Sequence, residues 1–129
     1  MATSGFTSVE QLPQAVVVRV LPDSLGKREV DGICGGVDEA LKAAPALPFV
    51  IDMGKVSYAG SMALGTLVGL AKEFRNRGQR LIFVNLQPFI REAFTMTRLD
   101  RVMDVMPNVS AAMQSIEGPG GTTAESNMK

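Results

Sequence analysis

Apolar residues recur along this chain with two alternating periods. Short, β-branched runs fall at Ala15-Val16-Val17-Val18-Arg19-Val20, Phe49-Val50-Ile51-Asp52-Met53 and Leu81-Ile82-Phe83-Val84. Continuous apolar runs bounded by turn residues read as buried strands, here placed over Gln14 to Leu21, Phe49 to Met53 and Arg80 to Asn85. Phe6 to Glu10 predicts a short antiparallel edge strand, and a segment near Val102 to Val105 closes the sheet.

Between the strands the pattern takes a helical period. Lys27 to Ala44 puts Val30, Ile33, Cys34, Val37 and Leu41 on one stripe. Ser61 to Arg77 puts Leu64, Leu67, Val68, Ala71 and Phe74 inside, with Lys72, Glu73, Arg75, Asn76 and Arg77 outside. Pro88 to about Thr97 buries Ile90, Ala93 and Phe94, and Asn108 caps a last helix carrying Val109, Ala112, Met113 and Ile116.

The breaks agree with these elements. Pro22-Asp23-Ser24 and Gly26 form a turn, and Pro45 and Pro48 end the first helix. Gly78 stops the second, where Arg75 and Arg77 complement the negative end of its dipole. Gly32, Gly35 and Gly36 each cost about 1 kcal/mol inside a helix, so they either permit close packing on the sheet or shift the helix start. Two strand–helix–strand units imply right-handed crossovers and a partly parallel sheet. The expected fold is α/β, a mixed four- to five-stranded sheet with helices mainly on one face. Residues 1–116 form one domain, and the Gly-Pro-Gly-Gly and small polar residues within 117–129 predict a disordered tail.

Composition removes several classes of function. Thirteen basic residues balance 13 acidic ones, so no basic surplus draws nucleic acid or an anionic membrane. No apolar run approaches the roughly 18 residues of a membrane span, so direct membrane insertion is not expected. Met1-Ala2-Thr3-Ser4-Gly5 lacks the flank and apolar block of a signal peptide, and the single Cys34 cannot form an internal disulfide. These features fit a reducing cytoplasm. Histidine is absent, which removes the commonest general base and metal ligand. Asp31, Asp38 and Glu39 fall on a solvated helix face, Cys34 reads as a packing residue, and no phosphate-cradling glycine loop is present. The expectation is a non-enzyme with no catalytic residue, cofactor or metal.

What chemistry remains sits in Tyr58-Ala59-Gly60-Ser61-Met62-Ala63-Leu64-Gly65, a turn that leads into a helix with a serine in its first turn. Phosphate on that serine would alter both the helix-end electrostatics and any surface built around it.

The ordered set of these features resembles a STAS domain, the fold of bacterial anti-sigma factor antagonists and of the cytoplasmic ends of sulfate transporters. The resemblance runs from about Thr7 to Ile116. It is carried by Val16 to Leu21, by Val50-Ile51-Asp52-Met53 through Val56-Ser57-Tyr58, and by the helix start Ser61 to Gly65. Gly78, Pro88-Phe89-Ile90-Arg91-Glu92-Ala93-Phe94 and Leu99-Asp100-Arg101-Val102 complete it. In the family the turn usually reads Asp-Ser-Ser-Gly-Leu-Gly, and its first serine is phosphorylated by a partner that is both anti-sigma factor and serine kinase. Matched without gaps, Ser61 takes the place of that serine, Gly60 replaces the aspartate, Met62 the second serine and Ala63 the first glycine. Arg98 replaces a helix-ending glycine, which implies a non-glycine residue in a left-handed conformation.

The resemblance implies a partner-binding rim of Asp23, Ser24, Tyr58, Gly60, Ser61, Met62, Ala63, Thr66 and Phe89 on a monomer or weak dimer, with Ser61 as the phosphorylation site. Met62 and Phe89 each read equally as apolar contacts or as core. Three functions follow: a phosphorylation-controlled anti-sigma factor antagonist; a constitutive STAS interaction domain in a stress-signalling scaffold or transporter-associated complex; or an anion or nucleotide site at the helix start, with Lys55 the one basic residue close in sequence.

Overall fold

Val16, Val17 and Val18 are all shielded from solvent, although successive residues of a strand face opposite sides of a sheet. Both faces at this strand must therefore be covered, and they are. The computed structural model describes residues 2–3, 5–101 and 103–117, with the side chains of residues 2, 3 and 100 left aside. The strands are β1 (Ala2–Thr3), β2 (Thr7–Gln11), β3 (Val16–Val20), β4 (Ser24–Leu25), β5 (Phe49–Asp52), β6 (Tyr58–Ala59), β7 (Leu81–Val84) and β8 (Asp104–Met106). The helices are α1 (Lys27–Ala43), α2 (Ser61–Asn76), α3 (Pro88–Met96) and α4 (Val109–Glu117), with a 3-10 turn at Leu99–Arg101.

The main sheet has the order β1-β2-β3-β5-β7-β8. β2 runs antiparallel to β3, while β3, β5, β7 and β8 are parallel, with Val18 opposite Ile51 and Ile51 opposite Phe83. The five strands of three or more residues match the expected mixed sheet, and the two-residue β1 adds a sixth outside β2, which is therefore not the edge.

Val16, Val18, Phe49, Ile51 and Phe83 point to one face, where they join Ile33 and Val37 of α1, Leu67 and Phe74 of α2, and Ile90 and Phe94 of α3. Val17, Val50, Ile82 and Val84 point to the other and meet Ala112 of α4, flanked by Val109, Met113 and Ile116. Three helices on one face and one on the other explain why the strands lack polar alternation.

Local chemistry sets the ends of these elements. Gly78, at φ +68°, closes α2: its N–H donates to Arg75 O (2.9 Å) and that of Gln79 to Phe74 O (2.9 Å). Asn108 Oδ1 accepts the Ala111 N–H at 2.8 Å and caps α4. Arg98 does take the left-handed conformation, φ +61°. Within α1, a β-carbon on Gly32 or Gly36 would collide with Phe6 or Thr7, so these two glycines admit close packing against the segment entering and starting β2; Gly35 faces open space.

Several expectations are corrected. Asp23-Ser24 do not end in a plain turn, because Ser24–Leu25 is a short strand paired in parallel with Tyr58–Ala59. On α2, Ala63 and Leu70 are buried, whereas Leu64 and Val68 are half-buried. Cys34 and Ala93 are half-buried too, at the margins of their stripes. The predicted tail beyond Glu117, and Val102 at the start of the last predicted strand, lie outside the described residues.

Candidate functional site

The second, two-stranded sheet builds one end of the molecule. Leu25 and Ala59 are its buried anchors, and Ser24 and Tyr58, paired beside them, are exposed. Asp23 O accepts the N–H groups of Ser57 (2.8 Å) and Tyr58 (3.3 Å) and the Ser57 hydroxyl (3.1 Å). Gly60 N–H donates to Leu25 O at 3.1 Å, so the chain enters α2 already tied to β4.

Gly60 is the N-cap residue, extended at φ −73°, ψ 166°, and it offers no side chain to the free N–H groups of the first turn. Ser61 is the first helical residue and is exposed. The first turn of α2 carries no acidic residue, so its positive dipole end faces solvent beside the Ser61 hydroxyl.

Around Ser61 the surface is apolar. Met62 is 63% exposed, Tyr58 52% and Phe89, at the second position of α3, 49%. The core alternative for Met62 and Phe89 is therefore excluded. The Tyr58 and Phe89 rings lie 5.4 Å apart between centroids, inclined by 32°. Three large apolar side chains near the start of α2 are thus left about half in solvent or more, two of them in ring contact.

The structure brings Asp23, Ser24, Tyr58, Gly60, Ser61, Met62 and Phe89 to one rim. Two predicted members behave differently. Ala63 is buried and supports the rim from below, because the third residue of α2 points back to the sheet. Thr66 is half-buried and its hydroxyl donates to Met62 O (3.0 Å), so it is engaged within its own helix.

Sequence reasoning missed the polar residues beneath the rim. Asp52 Oδ1 accepts both the Gly54 N–H (2.9 Å) and Asn85 Nδ2 (3.0 Å), and Gln87 Nε2 donates to Gly54 O (2.8 Å). Arg19 Nε lies 3.8 Å from Asp52 Oδ2. The one local signal was an Asn directly after a strand and ahead of a proline, a residue type that tolerates the left-handed region.

Elsewhere, a cavity of about 490 Å³ lies at the far end of α2, lined by Arg75, Arg80, Arg101 and Asp104 among others. Arg80 Nε there is bound to Asp104 at 2.8 Å. Another, of about 290 Å³, lies between α3 and β8. Neither includes Ser61. Among the described residues there is no cluster of metal-ligating side chains, and no helix is long and apolar enough to cross a membrane.

The chain belongs to the STAS domain family, whose pattern it matches over residues 8–112. It is similar to a solved anti-sigma factor antagonist of Mycobacterium paratuberculosis at 22% identity, with 85% of this chain and 92% of that one covered and a TM-score of 0.73. It is also similar to the anti-sigma factor antagonist SpoIIAA of Bacillus in its unphosphorylated form, at 20% identity, with 87% and 96% covered and a TM-score of 0.69. A chain of the stressosome, described as a signal integration and transduction hub, aligns at 13% identity with 85% and 96% covered and a TM-score of 0.64. At these identities the likeness establishes the fold.

Proposed function

We propose that this protein is a non-enzymatic, cytoplasmic anti-sigma factor antagonist whose rim binds an anti-sigma serine kinase and is released when Ser61 is phosphorylated. The observation that carries this reading is an exposed serine at the first position of α2, set beside the exposed apolar group of Tyr58, Met62 and Phe89. Phosphate would add roughly −1.5 to −2 charges at neutral pH, which desolvates badly against an apolar partner surface. Losing about 3–4 kcal/mol of interface free energy weakens binding some hundredfold to a thousandfold.

The test is incubation with an anti-sigma serine kinase and ATP, read by intact mass and by binding. One added phosphate is expected on the wild type and none on Ser61→Ala, with Ser61→Glu binding far more weakly than Ser61→Ala. Equal binding by the two variants places the switch elsewhere.

Gly60 favours a second reading, a constitutive STAS interaction domain in a stress-signalling scaffold. With glycine at the cap, the carboxylate that family members carry beside the serine is missing from the rim. A chain that the kinase binds without ever modifying supports this version; phosphate on Ser61 removes it.

A further inference from the structure

We propose that Asp52, Asn85 and Gln87 form a polar latch around Gly54 that sets the spacing of Tyr58 and Phe89, and so act as positioning residues for partner recognition. The recognition half rests on the rim being a partner-binding surface, as argued above; the latch itself does not.

Two loops carry the exposed rings. Residues 53–57 connect β5 to β6 and deliver Tyr58, while residues 85–87 connect β7 to α3 and deliver Phe89. Each is pinned from below by buried apolar side chains, Met53 and Val56 in the first and Leu86 in the second. Above those pins the loops are joined by two cross-ties. Asp52 Oδ1 takes the amide of Asn85, and the amide of Gln87 reaches Gly54 O. Since Asp52 Oδ1 also holds the Gly54 N–H, both backbone polar groups of Gly54 are engaged by side chains.

Three further observations show how closely the latch is fitted. Asn85 sits at φ +59°, a left-handed conformation that Asn tolerates better than most residues with a side chain, and there its amide reaches Asp52. A β-carbon on Gly54 would stand 3.1 Å from Asp52 Oδ1, tighter than an ordinary contact, and 3.5 Å from the Asn85 β-carbon, so the latch closes tightly around this residue. Arg19 lies 3.8 Å from the second Asp52 oxygen and balances its half-buried charge.

The physical need follows from exposure. Two rings half in solvent have little surrounding packing to hold them, so their 5.4 Å spacing depends on backbone placement: the β4 pairing and the first loop place Tyr58, and the second loop places the start of α3 with Phe89. A pair held in position before binding loses less conformational entropy when a partner's apolar side chain lands on it, which is how aromatic anchors become dominant contacts.

The chain has one tyrosine and no tryptophan, so its tyrosine emission reports on Tyr58 alone. Gln87→Glu keeps the shape and removes the donor to Gly54 O; Asn85→Gly keeps the left-handed backbone and removes the amide, and serves if the first variant folds poorly. The expected result is weaker nuclear Overhauser contacts between the Tyr58 and Phe89 rings, and quenching of Tyr58 by acrylamide raised about twofold. Binding to the anti-sigma kinase used above should fall about tenfold, which is about 1.4 kcal/mol. Added to Tyr58→Ala, Gln87→Glu should weaken binding no further, because both act through the same pair. Unchanged ring contacts in both variants overturn the latch, and additive losses overturn its action through Tyr58. Failure of the wild type to bind the kinase overturns the rim reading and the recognition half with it, while the ring contacts still decide the latch.

Discussion

Gly32 on α1 and Phe6 ahead of β2 touch so closely that a β-carbon on residue 32 would overlap the Phe6 ring. Arg28 covers that ring, its guanidinium carbon 5.7 Å from the centroid, so the ring has little freedom to swing away. Gly32→Ala should therefore lower stability by about 1–3 kcal/mol through overpacking, outweighing its better helix propensity. Gly35→Ala, three residues on and facing open space, should raise stability by up to about 1 kcal/mol. Opposite shifts in denaturant midpoint at two glycines of one helix are the expected outcome.

Arg98 follows α3 at φ +61°, donating its N–H to Thr95 O at 3.2 Å. Left-handed backbone costs a side-chain-bearing residue about 1–2 kcal/mol, part of which glycine gives back as unfolded-state entropy. Arg98→Gly should raise stability by up to about 1 kcal/mol, seen as a higher thermal midpoint. A lower midpoint would mean that the Arg98 side chain contributes more than its backbone loses.

The first turn of α2 carries no acidic group and no cap side chain, and a β-carbon on Gly60 meets nothing within 4 Å. Gly60→Asp should raise stability by about 0.5–1 kcal/mol through capping and the helix dipole. Its carboxylate would be held below its unfolded value near 3.9. The gain is therefore present above that value and disappears as pH falls through the lower folded value, so the variant and the wild type should converge near pH 2. Ser61→Glu gains from the same dipole, by about 0.3–1 kcal/mol. If the proposed switch holds, phosphate at Ser61 should thus stabilise the fold while it weakens binding of the proposed kinase partner, and thermal unfolding and binding should move in opposite directions.

Burial, followed by the negative charges of Asp38, Asp31 and Glu73, pushes the Cys34 thiol above its ordinary range. Alkylation by iodoacetamide at neutral pH should be about tenfold slower than for an unstructured cysteine peptide. As pH rises past the ordinary thiol value, the unfolded chain releases its proton first. Stability should then fall with rising pH in that window, and Cys34→Ser should flatten the dependence.

Much of the fold was legible in the chain because local chemistry settles it. Short runs rich in β-branched and aromatic residues and bounded by turn residues, such as Phe49 to Ile51 and Leu81 to Val84, read as strands covered on both faces, and they are. Gly78, Asn108 and Pro88 end or start helices through their own backbone and side-chain chemistry, and Arg98 took the left-handed conformation that a missing glycine implied. Ser61 could likewise be placed at a helix start from its neighbours alone.

Other features depend on what arrives from elsewhere in the chain. Whether Met62 and Phe89 are core or surface is decided by whether another layer covers the ends of α2 and α3, and a helical period cannot report that. Ser24–Leu25 and Tyr58–Ala59 are too short to show any period, and they become strands only by pairing across more than 30 residues of sequence. The contacts of Asp52 with Asn85 and of Gln87 with Gly54 arise where parallel strands end side by side. The sequence alone determined the helices and the longer strands and the serine that begins α2, because these follow from neighbouring residues. The tertiary structure alone decided the apolar rim and the latch beneath it, because solvent exposure and long-range hydrogen bonds exist only once the sheet has brought distant loops together.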